Sequence, residues 1–152
     1  QHYYDIISGG KEKVSVVYES HLSDSTFQEL LSNSIDKDRV LTYTSKGIHK
    51  DDLIFEMNGN SIKKIGSQGQ QKSFLVSLKL AQINRIKELT GKSPILLLDD
   101  IFDKLDDTRV SQLIELVNKE SFGQIFITDT HKERTENVVK RIHEESKIFE
   151  IS

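Results

Sequence analysis

From Ser67 to about Thr90 the apolar residues Phe74, Leu75, Leu78, Ala81, Ile86 and Leu89 recur on one broad helical stripe, and Gly91 follows as a stop. The spacing predicts a long helix docked along that stripe. Past Pro94 the pattern changes, since Ile95 to Leu98 are apolar without alternation, the mark of a strand buried on both faces of a parallel sheet. Asp99 and Asp100 stand at its carboxyl end. A helix is predicted from about Asp107, burying Val110, Leu113, Ile114 and Val117. Gln124 to Thr128 reads as a second buried strand, Val138, Val139 and Ile142 mark another helix, and the apolar segment Ile148 to Ile151 closes the chain. Strand and helix alternate, which predicts an α/β fold with a mainly parallel sheet and ligands gathered beyond the strands' carboxyl ends.

The first half is less regular. Residues 1 to 15 are mixed, with Gly9-Gly10 marking a turn, and Val14, Val16 and Tyr18 then point to a strand. Ser25 and Gln28 have capping-box spacing before Phe27, Leu30, Leu31 and Ile35, which predicts a short amphipathic helix ended by Asp36-Lys37-Asp38. Val40 to Thr44 has strand-like composition. Leu53 to Met57 and Ser61 to Ile65, joined by Asn58-Gly59-Asn60, read as a β-hairpin.

The 152 residues, 36% hydrophobic and 30% charged, suffice for one domain or part of one. With no cysteine, disulfides and thiolate zinc sites are excluded. No apolar run approaches the roughly 20 residues of a membrane helix, and a cytoplasmic location is the expectation. The net charge of −3 leaves no global footprint for nucleic acid. Between Lys46 and Lys92, however, nine Lys/Arg face four Asp/Glu, a local excess of 9 − 4 = +5. Lys46, Lys50, Lys63 and Lys64 are the candidate DNA contacts within it, with solvated surface as the plain alternative.

A buried strand that delivers carboxylates to a sheet edge suits a magnesium–nucleotide site, because Mg²⁺ takes hard oxygen ligands at a rigid position. Ile95 to Asp100 has this Walker B pattern. Gly66-Ser67-Gln68-Gly69-Gln70 places glycine and free N–H groups at the start of the long helix, where the dipole favours an anion. Ser67 and Gln70 also have capping-box spacing, and both readings are compatible. His49 beside Asp51 and Asp52 resembles a metal cluster, although a loop histidine held by a neighbouring carboxylate explains it as well. Phe74, Phe102, Phe122 and Phe126 read as core or rim.

In order, Ser67-Gln68-Gly69-Gln70-Gln71-Lys72-Ser73, Ile95 to Asp100, and Asp103-Lys104-Leu105-Asp106 resemble the signature, Walker B and D-loop of ABC/SMC-like ATPases. The spelling of the first segment, with Asp-Asp in the second where most ABC ATPases have Asp-Glu, is similar to the RecF family of DNA-repair ATPases. Gly47-Ile48-His49-Lys50-Asp51-Asp52 resembles that family's Gly-Pro-His-Arg-Asp-Asp, with Ile48 for Pro and Lys50 for Arg. The resemblance covers roughly residues 14 to 152. It implies the C-terminal portion of a P-loop ATPase head over 47–152, preceded over 1–46 by the end of a helical and strand lobe. The phosphate-binding loop G-x-x-x-x-G-K-S/T does not occur in these residues, so the chain reads as the C-terminal part of a longer protein and is not expected to hydrolyse ATP alone.

By the same resemblance, Asp99 holds Mg²⁺ through water and Asp100 orients or deprotonates the attacking water. Ser67 and Gly69, flanked by Gln68 and Gln70, meet the γ-phosphate of ATP on the other subunit, and Asp106 lies at the dimer seam. One of Asp129, Thr130 and His131 occupies the switch position, and His131 is equally readable as a first-turn helix residue. The implied cofactors are ATP and Mg²⁺. The implied partners are DNA at single-strand/double-strand junctions, a second copy in an ATP-dependent homodimer, and RecO and RecR in loading RecA, with no membrane. Competing readings are another SMC-like repair ATPase, a metal-dependent phosphohydrolase or nuclease using Asp99, Asp100 and Asp103, and a non-catalytic docking domain.

Overall fold

A computed structural model describes residues 1–119, 122–140 and 146–150. The order of elements is α1 (His2–Ser8), β1 (Val14–Glu19), α2 (Phe27–Leu41), β2 (Asp52–Met57), β3 (Asn60–Ser61), α3 (Ile62–Ile65), α4 (Gln68–Thr90), β4 (Leu96–Leu98), α5 (Asp107–Lys119), β5 (Ile125–Ile127) and α6 (Lys132–Val139). Strands β1, β2 and β3 form an antiparallel sheet in that order, and β4 and β5 pair in parallel with Leu97 opposite Phe126. The α/β expectation holds, with an antiparallel sheet preceding the parallel pair. Because β1 pairs with β2, the expected 46/47 division runs across a sheet.

The amino-terminal fifteen residues are more ordered than their composition suggests. Tyr3, Tyr4 and Ile7 recur at helical spacing in α1, are buried, and pack that helix against α4 and α5. Helix α2 begins one residue later than expected, at a Thr26–Glu29 capping box in which each residue satisfies the other's backbone N–H. Nor does Asp36-Lys37-Asp38 end it. Asp38 accepts from the Ser34 hydroxyl at 2.9 Å and from the Ser45 N–H at 2.9 Å, so its carboxylate ties the last turns to the following loop instead of competing with the helix. The strand-like Val40 therefore lies in α2, which ends at Thr42 with φ 62°.

The hairpin turn is Asn58-Gly59, both at positive φ, the type I′ geometry this pair is suited to. Beyond it β3 is only two residues long, and Ile62 to Ile65 form the short helix α3 instead of continuing the strand. Burying Ile62 against Tyr4, Val14, Met57 and Phe74 turns the chain there.

Helix α4 has the predicted limits, with Ser67 as N-cap and Gly91 just past its end, but a different buried face. Ser73, Phe74, Val76, Ser77 and Leu80 are buried, whereas Leu75, Ala81, Ile86 and Leu89 are exposed. The buried serines return their hydroxyls to the carbonyls four residues back, Ser73 to Gly69 at 2.8 Å and Ser77 to Ser73 at 2.7 Å. Neither buried serine leaves its hydroxyl orphaned. Counting apolar residues alone points to the wrong stripe.

The main core joins Tyr3 and Ile7 of α1, Val76 and Leu80 of α4, Leu96 and Leu98 of β4, Ile101, Phe102 and the predicted face of α5. It covers one face of the parallel pair. On the other face Leu97 is 70% and Phe126 48% exposed, so the doubly buried strand expected at Ile95 to Leu98 is buried on one side only in this chain. Residues 146–150 carry no regular element, while Ile142 and Ile151 lie outside the described residues.

Candidate nucleotide site at the strand ends

Strand β4 leads into Asp99 and Asp100, and β5 into Thr128, whose N–H donates to the Leu98 carbonyl at 3.0 Å and continues the parallel pairing by one residue. The Thr128 hydroxyl donates to Asp99 Oδ1 and accepts from the Asp100 N–H at 3.2 Å. One threonine thereby fixes both carboxylate-bearing residues. Asp100 has φ 45°, a left-handed conformation that aspartate and asparagine tolerate better than most side chains. Its carbonyl accepts from Lys72 Nζ at 3.0 Å, which ties the first turns of α4 to the end of β4.

The start of α4 is a complete capping box. Ser67 Oγ accepts from the Gln70 N–H at 3.2 Å, and the Ser67 N–H donates to Gln70 Oε1 at 2.8 Å. Gln68 is exposed, and its N–H and that of Gly69 make no hydrogen bond among the described residues, leaving two first-turn donors for an anion. Gly69 is needed for a close approach, since a Cβ there would lie 2.8 Å from the Lys104 carbonyl oxygen and 3.0 Å from Arg109 Nη1. The loop after β4 thus rests on the first turn of α4. In that loop Asp106 caps α5 by accepting the Arg109 N–H at 2.9 Å and pairs with Arg109 Nε at 3.6 Å.

His131 precedes α6; its carbonyl opens the helix by accepting the Thr135 N–H at 3.1 Å, and its own N–H donates to Asp129 at 3.3 Å. Its ring is exposed. The sequence places Thr128 at the end of a buried strand without giving it a task, and assigns no role to Lys72 or Arg109. Their part depends on contacts across the fold that no local spacing reveals.

The residues present fit an outer-sphere Mg²⁺ ligand: Asp99 has one oxygen held by Thr128, and its other makes no hydrogen bond among the described residues, at the end of a rigid strand. They do not form a self-sufficient metal cage. Among the described residues no group of three His, Asp or Glu side chains is placed to hold a metal ion. At His49 the ring is held by Thr44, 3.1 Å from its carbonyl and 3.3 Å from its hydroxyl, in place of the expected carboxylate bond. Asp51 bonds Tyr18 instead, and that phenol, donating to it, holds its carboxyl below the usual carboxylate range.

Of the candidate DNA contacts, Lys50 lies over the Tyr43 ring at 5.2 Å, Lys46 is half-buried, and Lys63 and Lys64 are exposed on α3, four and three residues before the N-cap of α4. Among the described residues no helix is long and apolar enough to cross a membrane.

A long capped helix laid against a parallel strand pair that ends in paired carboxylates defines an α/β, ABC-type ATPase head, of which this is the C-terminal portion. Two solved structures of the recombination mediator protein RecF in the RecFOR pathway, one with ATPγS and one with ATP, superpose with a TM-score of 0.64 at 26% and 27% identity, over 87% of this chain and 37% of theirs. No family model matches. DNA replication and repair protein RecF of Flavobacterium johnsoniae is 58% identical over 98% of the chain, and those of Phocaeicola vulgatus and Porphyromonas gingivalis are 47% and 51% identical over 99% and 97%. The chain is a RecF-family sequence, and what it matches is the C-terminal part of RecF. It spans 42% of the first of these relatives and 41% of the other two.

Proposed function

We propose that this chain is the signature-bearing part of a RecF-like DNA-repair ATPase, in which residues 47–152 complete the ATPase head and residues 1–46 form the end of the adjoining lobe. One observation carries the reading: Thr128 and Lys72 hold Asp99 and Asp100 at the strand end nearest the capped, glycine-containing start of α4. In the longer protein Asp100 orients the attacking water and accepts its proton, and the rigid strand keeps that carboxylate placed. Asp99 is the residue that holds Mg²⁺ through water, and the ion supplies charge neutralisation at the phosphates.

A capped serine whose oxygen already accepts one N–H keeps its hydroxyl proton for an outside acceptor. Ser67, with the free N–H groups of Gln68 and Gly69 beside it, meets the γ-phosphate of ATP held by a second copy, and Asp106 and His131 line the same seam. The uncovered face at Leu97 and Phe126 packs against the remainder of the longer chain. Lys46, Lys50, Lys63 and Lys64 contact the DNA backbone at single-strand/double-strand junctions, and the ATP-bound dimer acts with RecO and RecR in RecA loading, in the cytoplasm.

The test is ATP-driven dimerisation of the full-length protein, followed by sedimentation velocity with ATP and with ADP. Ser67→Ala is expected to weaken the ATP-dependent dimer about tenfold, the loss of one hydrogen bond to a charged group. Metal-dependent DNA cleavage by this chain alone, without ATP, would overturn the reading.

A further inference from the structure

We propose that Glu12 is a positioning residue of the signature turn: its carboxylate fixes the Gln70 carboxamide, and through it the capped state of Ser67 on which ATP-driven dimerisation depends. The inference rests on the signature reading above. Gln70 makes two side-chain bonds of opposite polarity, its Oε1 accepting the Ser67 N–H at 2.8 Å and its Nε2 donating to Glu12 Oε1 at 2.8 Å. A carboxylate only accepts, so Glu12 permits one of the two amide orientations, the one that presents oxygen to Ser67. With Glu12 gone the amide is free to flip or leave, and Ser67 loses the partner of its N–H.

Glu12 lies 58 residues before Gln70, in the link between α1 and β1. It is half-buried, and Gln1 Nε2 donates to its backbone carbonyl at 3.3 Å. Its Oε2 is buried and, beyond the neighbouring Tyr4 phenol, has no hydrogen-bond partner among the described residues, a costly position for a carboxylate that has no task. Tyr4 lies beside it; burial first, and the Glu12 charge next, push the phenol up to about 12, so that it stays neutral next to the carboxylate. On the other side of the same turn, Gly69 abuts Lys104 and Arg109, and Arg109 is paired with Asp106. Glu12 therefore clamps from the α1–β1 side a turn that the loop after β4 already clamps from the other.

The experiment uses the full-length protein and measures the dimerisation constant with ATP, ATP binding by the monomer, and Tm. Glu12→Ala is expected to weaken the ATP dimer about tenfold, since a charge-assisted bond is lost, with monomer ATP binding unchanged. Glu12→Gln, whose amide oxygen still accepts from Gln70, is expected to recover most of it. In a Gln70→Ala background Glu12→Ala is expected to add nothing. Wild-type dimerisation by Glu12→Ala, where Ser67→Ala dimerises poorly, overturns this inference and leaves the signature reading standing; wild-type dimerisation by Ser67→Ala removes the reading itself. If Glu12→Ala does not fold, Gln70→Leu removes the same bond from the helix side, and its wild-type dimerisation would equally overturn the proposal.

Discussion

Asp100→Asn in the full-length protein is expected to slow ATP turnover roughly 10²- to 10⁴-fold, the range a positioned general base contributes. The replacement is nearly isosteric, and asparagine adopts the left-handed φ of 45° that this position requires as readily as aspartate does. The Asp100 N–H bond to the Thr128 hydroxyl and the bond from Lys72 Nζ to the Asp100 carbonyl involve only backbone atoms of Asp100, so they survive. ATP binding and the ATP-driven dimer are therefore expected to persist while hydrolysis stops. Single-turnover hydrolysis measured beside sedimentation separates the two. Turnover within about twofold of wild type would remove Asp100 from the chemistry, because even weak general-base catalysis exceeds that.

Phe102→Ala is expected to destabilise the protein by about 3–5 kcal/mol, as for other fully buried aromatic truncations. The ring has no exposed surface and lies in the main core with Leu80, Leu98, Leu113 and Ile114. That loss is a large share of an ordinary domain's stability of roughly 5–15 kcal/mol. Because Phe102 follows Asp100 by two residues, and the Leu105 N–H donates to its carbonyl at 3.3 Å, the same substitution loosens the loop that rests on Gly69. Equilibrium denaturation checks the magnitude. A loss under about 1 kcal/mol, the size of an ordinary surface change, would contradict the packing described.

The carboxyl-terminal half was legible because its signals are local. A capping pair and a stop glycine mark the limits of α4, an apolar run marks β4, apolar spacing marks the start and buried face of α5, and the candidate carboxylates follow from where β4 ends. Elsewhere the deciding forces act between distant residues. Buried Ser73 and Ser77 have the composition of a polar face, and only packing against the rest of the fold makes that face the inner one. Asp36-Lys37-Asp38 resembles a helix break until Ser34 and Ser45 are seen to employ Asp38. Thr128, Lys72 and Glu12 owe their positions at the site to partners 29, 28 and 58 residues away, a relation no window along one sequence contains. The strand run Ile95 to Leu98 was read for two covered faces, and this chain covers one.

The composite ATP site is tested most directly by mixing two full-length variants, Ser67→Ala, expected to lose turnover along with its γ-phosphate contact, and Asp100→Asn, at protein concentrations high enough to drive both into dimers. If each site takes its signature from one subunit and its carboxylates from the other, a mixed dimer holds one intact site and one doubly defective site. An equal mixture is then expected to recover about a quarter of wild-type ATPase activity, since random pairing makes about half the dimers mixed. A mixture no more active than the separate variants would contradict the account.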